Sequence, residues 1–157
     1  MKKIVILLSF LVSIYWAQEG ARYLIIAHDN FYVPIVALAN WKIQKGVQTV
    51  VKKLSEIGST PSQIKSYITN AYNNWNPRPE YLLLVGSPDL LPSSNSTDDY
   101  YANIAGDYQI ELCVGRFHCA TLAQCSLMVV KSINYEKSVT MHDSTWFGKG
   151  TTIVGED

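Results

Sequence analysis

The sequence predicts an α/β fold, a three-layer sandwich in which a mainly parallel sheet is covered by helices on both faces. Three observations carry this. Short apolar runs alternate with segments of helical periodicity along nearly the whole chain. The runs are continuous rather than alternating, as expected of strands buried on both faces. Proline, glycine and capping residues separate them at intervals that suit strand–helix–strand crossovers.

In order, residues 22–27 (RYLIIA) form the first predicted strand. Pro34 opens a predicted helix over 34–45, with Ile35, Leu38, Ala39 and Ile43 on its inner face and Gly46 as its stop. The β-branched stretch 47–54 is a second strand. Thr60-Pro61-Ser62-Gln63 carries a capping box with proline at the first helical position, heading a helix over 60–75. The Asn-Pro-Arg-Pro run at 76–79 ends it. Residues 81–85 (YLLLV) are the most apolar strand and the predicted centre of the sheet. A polar loop spans 87–103, and residues 108–114 form a fourth strand running into Gly115-Arg116-Phe117. Thr121-x-x-Gln124 repeats the capping box, heading a helix with Leu122, Cys125, Met128, Val129 and Ile133 inward. Residues 151–154 begin a fifth strand.

Composition narrows the function. Of 157 residues, 48% are hydrophobic and 17% charged, which fits a globular chain and excludes disorder. Thirteen basic residues balance thirteen acidic ones, so there is no electrostatic footprint for nucleic acid. Lys2 and Lys3 precede an apolar run from Ile4 to Trp16, too short for a stable bilayer span, and Ala17 supplies a small residue for cleavage. Residues 1–20 are therefore expected to be a signal peptide; the alternative is an uncleaved anchor. After cleavage no membrane attachment is expected, and the protein is placed outside the cell or at its surface.

Sites in parallel sheets lie at the carboxyl ends of the strands. Those ends carry His28-Asp29, Gly86-Ser87, Arg116 to Cys119 and Gly155-Glu156-Asp157. No phosphate-binding loop, dinucleotide fingerprint, nucleophile elbow or zinc-protease motif is present. A Cys–His pair would have to use His28, His118 or His142. His118 and Cys119 adjoin, but neighbours on extended chain point apart. The three cysteines match no zinc spacing. Cys113 reads as a buried small hydrophobe, and Cys119 with Cys125 allows one bridge while leaving a free thiol. Asp107, Gln109 and Glu111 alternate on one side of the chain approaching the fourth strand. Two carboxylates with nearby carbonyls suit calcium, and a solvated polar face explains them as well. Asp98-Asp99-Tyr100-Tyr101, in the long loop, is either a cleft lining or solvated. A non-catalytic binding module using an exposed aromatic loop at Tyr100 and Tyr101 is the competing reading.

Several pieces in order resemble the gingipain family of secreted bacterial cysteine peptidases. They are Tyr23-Leu24-Ile25-Ile26, Trp41-Lys42-x-Gln44-Lys45-Gly46, Thr60-Pro61, and Tyr81-Leu82-Leu83-Leu84-Val85-Gly86. Thr97-Asp98-x-x-Tyr101, Val114-Gly115-Arg116-Phe117 and Ile133-Asn134-Tyr135-Glu136 follow. The resemblance covers roughly residues 22–137. It implies a caspase-like fold and endopeptidase action on polypeptides through a Cys–His dyad and a thioester intermediate. In that family the histidine stands in a Gly-His-Gly context after a later strand, with the nucleophile one strand further on. This sequence contains no Gly-His-Gly, so the dyad maps onto no residue here, Cys119 included. The resemblance thus implies that residues 21–157 form an N-terminal subdomain, incomplete at its carboxyl end, that partners a catalytic subdomain beyond Asp157. It also implies structural calcium, with Asp107 and Glu111 as ligands and the carbonyls of Ala105 and Gln109 beside them. The family's Gly-Asp after the central strand is Gly86-Ser87 here, which speaks against a second cation site.

Overall fold

The computed structural model describes residues 19–94, 97–107, 109–137 and 150. The expected signal peptide and fifth strand lie outside them. Four strands form one parallel sheet: β1 Tyr23–Ala27, β2 Thr49–Lys53, β3 Tyr81–Val85 and β4 Cys113–Phe117, in the order β2-β1-β3-β4. The expected three-layer α/β architecture is what is found. β1 and β3 pair directly, Tyr23 opposite Tyr81 through Ala27 opposite Val85, and their residues after the first are all buried.

Strand alternation sorts the core into two halves. Leu24, Ile26, Leu82 and Leu84 face helix α3 (Pro61–Asn74), packing on Ile64, Ile68 and Ala71. Ile25, Ala27, Leu83 and Val85 face helices α1 (Tyr32–Gln44) and α5 (Leu122–Lys137), meeting Ile35, Leu38, Ala39, Cys125 and Val129. On that side Glu136 of α5 joins α1 by accepting from Trp41 Nε1 (2.8 Å) and Lys42 Nζ (2.5 Å). Short helical turns α2 (Leu54–Ile57) and α4 (Asp99–Ala102) complete the fold. No described helix is long and apolar enough to cross a membrane.

The helix signals act as read. Thr60 Oγ1 accepts from Gln63 N, Gln63 Oε1 accepts from Thr60 N, and Pro61 takes the first position of α3. Gly46 sits at φ +84° after α1, its amide on Ile43 O and the Val47 amide on Lys42 O, a Schellman closure.

Boundaries and faces differ in instructive places. α1 starts at Tyr32, so Pro34 lies within the first turn, where amides have no helical acceptor to lose. Lys42 rather than Ile43 continues the stripe begun at Ile35, and Ile43 is exposed. The Val47 amide is consumed by the Schellman closure, and Leu54 starts α2, which trims β2 at both ends. β4 begins at Cys113, not near 108, because Cys113 registers with Tyr81; Tyr108 lies outside the described residues. Cys113 is therefore exposed instead of buried, being the first residue of β4, the outermost of the described strands, beside an exposed Tyr81. Leu122, in the first turn of α5, is exposed too.

Leu84 is fully buried in the α3-side core, whereas Val33 is 81% exposed. Leu84→Ala should lower unfolding free energy by about 2–5 kcal/mol, and Val33→Ala should stay within about 0.5 kcal/mol of the parent. Urea unfolding of both variants measures the difference; equal midpoints would refute the assigned core.

Candidate functional site: the carboxyl edge of the sheet

The carboxyl ends of three strands are stitched together by backbone bonds. His28 N donates to Val85 O (3.0 Å), Gly86 N to Phe117 O (3.0 Å), and Ser87 N to Cys119 O (2.8 Å). Gly86 turns there at φ +141°, where a Cβ would lie 3.3 Å from Leu91 Cβ, so glycine suits the position.

Arg116, near the end of β4, organises this edge. Its Nε and Nη2 each donate to one carboxylate oxygen of Asp98, both at 2.7 Å. Nη1 donates to Gly86 O (2.7 Å) and Leu91 O (2.8 Å). The two side chains are 10% and 22% exposed, so this pair is well shielded from solvent. Asp98 is thus a partner of the scaffold, neither solvated nor available as a cleft lining. Sequence reasoning missed this role. The available signal was an arginine inside an apolar strand, which requires an acceptor set.

Beside it, His28 Nδ1 accepts from Asn30 N at 3.3 Å, and the ring leans on Phe31 at 5.8 Å. Asp29 binds the amide (3.2 Å) and the hydroxyl of Ser55, and that hydroxyl holds its carboxyl below the usual range. An open hollow of about 450 Å³ lies against His28, Asp29, Ser55 and Leu90.

Cys119 and Cys125 do not supply a nucleophile here. Cys119 and Cys125 are completely buried, and burial pushes both thiols up, Cys125 to about 12. His118 is exposed while Cys119 points inward, so the neighbours do point apart. Among the described residues no thiol is hydrogen-bonded to a histidine; His142, and the expected site residues at 155–157, lie outside them. The aromatic binding loop is also corrected. Tyr101 is fully buried, with its hydroxyl donating to Pro92 O, because α4 turns it beneath the loop.

The four expected calcium ligands share one loop that precedes β4 instead of lying on the strand. Glu111 Oε2 accepts from Ile104 N (2.5 Å) and Ala105 N (3.3 Å), and Glu111 N donates to Ala102 O (3.0 Å). Asp107 Oδ1 accepts from Gln109 N (2.8 Å), and Asp107 O accepts from Asn103 Nδ2. Each carboxylate thus uses one oxygen to fold its own loop. Lys65, from α3, donates to Tyr100 O (2.7 Å) and Asn103 O (2.5 Å) with its ammonium above the Tyr100 ring. Burial lowers its pKa, and the Glu111 charge opposes that. Among the described residues no three His, Cys, Asp or Glu side chains gather closely enough to hold a metal by themselves.

Arg116→Met would leave the Asp98 carboxylate without its cation and two carbonyls without a donor, a loss of about 3–5 kcal/mol in unfolding free energy. Adding Asp98→Leu should restore part of that stability, because the orphaned charge is removed as well. Chemical denaturation of both variants checks this; a double variant less stable than Arg116→Met would contradict a shielded ion pair.

Known proteins bear on these features. The pattern of Peptidase family C25 matches residues 17–157. Gingipain R2 of Porphyromonas gingivalis is 27% identical over 147 residues, which cover 89% of this chain and 20% of that protein. Lys-gingipain of the same organism is 30% identical, covering 87% of this chain and 8% of that protein. The crystal structure of the Arg-specific cysteine proteinase gingipain R aligns over 76% of this chain and 29% of its own, with a TM-score of 0.69 and 27% identity. The chain spans a fifth or less of the length of these curated relatives. Matched along nearly all its length, with the sheet and helices of a gingipain, it belongs to peptidase family C25.

Proposed function

We propose that these residues are the N-terminal part of an exported cysteine endopeptidase that cleaves polypeptides, and that its Cys–His dyad is encoded beyond Asp157. The observation that carries this is a family match across residues 17–157, together with the burial of Cys119 and Cys125 away from any substrate. The two buried thiols are held protonated by desolvation, and the thiolate is the nucleophilic form. The absence of Gly-His-Gly from the sequence accords with this. On this reading the four-stranded sheet is a rigid support, and its carboxyl edge, locked by Arg116, presents an ordered border to the catalytic part. The lysine pair and apolar run at the amino terminus support export to the outside or the cell surface.

The purified chain alone should hydrolyse no peptide substrate. Turnover that is blocked by thiol reagents and lost in Cys119→Ala would overturn the assignment of the dyad to later residues.

A structural calcium belongs to the same proposal. Asp107 and Glu111 would each offer a carboxylate oxygen, and Ala105 and Gln109 their carbonyls, a hard-oxygen set of the kind calcium takes. The tight loop that Glu111 ties to the amides of Ile104 and Ala105 supports it, since it draws these residues into one short segment. Chelation should lower the melting temperature, and the combined Asp107→Asn and Glu111→Gln variant should melt identically with and without calcium. A parent chain indifferent to prolonged chelation would eliminate the site.

A further inference from the structure

We infer that Cys119 and Cys125 are a built disulfide site, closed while the chain folds and then sealed in the core. This stands apart from the peptidase reading and survives or fails without it.

The two residues are six positions apart, one after β4 and one in the first turns of α5. Both are completely buried in the same core half, and each side chain lies near enough to the other to act on its thiol. The backbone holds them in that relation from both sides. Cys119 O accepts from Ser87 N (2.8 Å) and Cys119 N donates to Phe117 O (2.9 Å), which pins the first cysteine to the strand ends. The second is fixed by the capping box: Gln124 N donates to Thr121 Oγ1 (3.3 Å), Gln124 Oε1 accepts from Thr121 N (3.2 Å), and Cys125 N donates to Thr121 O (3.1 Å). Two neighbouring thiols held by fixed backbone need little movement to join.

Timing follows from burial. Once packed, the thiols are shielded and protonated, so exchange is slow. In the open chain the short spacing brings them together readily, and a small-molecule disulfide serves as oxidant. One thiolate attacks it to give a mixed disulfide and release one small thiol. The second cysteine then displaces the other small thiol, forming the Cys119–Cys125 bond. The chain gives up two hydrogens, which end on the two released thiols. Cys113, exposed on β4, has no such partner among the described residues.

The test uses the chain with Cys113→Ser, leaving only the two buried thiols. It is unfolded, refolded with oxidised and reduced glutathione, then denatured and treated with iodoacetamide. The expected product takes up no alkyl group, weighs about 2 Da less than the reduced chain, and melts roughly 5 °C or more above it. Two alkylated cysteines, a glutathione adduct or a covalent dimer would each overturn the proposal. If Cys113→Ser does not refold, non-reducing peptide mapping of the unsubstituted chain decides: a fragment joining Cys119 to Cys125 supports the site, and its absence refutes it.

Discussion

Among the described residues the guanidinium of Arg116 ties more of the backbone together than any other side chain, through four donated hydrogen bonds. It stands near the carboxyl end of β4, and its four donated bonds reach Asp98 and the carbonyls of Gly86 and Leu91, all in the connection between β3 and β4. A long connection between β3 and β4 would otherwise lie over the sheet with few constraints. Lysine would not replace it, because one ammonium cannot present the planar fork that meets a carboxylate twice and still reach two carbonyls. Burial decides the magnitude. Arg22 and Glu80 make a similar double contact, at 3.1 and 2.7 Å, but both side chains are about half exposed, and such pairs contribute about 0–1 kcal/mol. For Arg116 the loss of either partner strands a desolvated charge.

That anchored edge determines what chemistry the chain can hold. The hydrogen bonds from Gly86 and Ser87 to Phe117 and Cys119 continue the pairing of β3 and β4 beyond the strands themselves. Cys119 is thereby turned into the layer beneath α5, and His118 is turned out. A nucleophile requires the reverse: a thiol open to substrate, with an imidazole beside it. At Cys119 the arrangement is that of a packed core layer.

Much of this was legible in the sequence. The apolar runs at 23–27 and 81–85 became the two central strands, because strands covered on both faces leave little room for polar residues. The capping boxes at Thr60 and Thr121 and the Gly46 stop marked helix ends correctly, since each is a local interaction readable within a few residues. What stayed hidden is non-local. The start of β4 depends on Cys113 aligning with Tyr81, and the alternation of Asp107, Gln109 and Glu111 imitated a strand while those residues fold a loop. The burial of Tyr101 depends on α4 and on the carbonyl of Pro92. The pairing of Asp98 with Arg116 joins residues eighteen apart; no periodicity announces such a contact.

The loop before β4 shows how charge is distributed once these contacts are set. The Lys65 ammonium already occupies the carbonyls of Tyr100 and Asn103, while one oxygen of Glu111 already neutralises two backbone amides. A divalent cation in this loop would have to sit away from those groups, among the remaining carboxylate oxygens and the carbonyls of Ala105 and Gln109. Lys65 then works against it, since a positive charge close enough to feel Glu111 also repels the ion. The same lysine provides a measure of order without metal, tying α3 to the loop through its two carbonyl bonds. A bound cation would therefore compete with the ammonium for the same ordering role, and the outcome would depend on how far Lys65 can be displaced from the carbonyls it now binds.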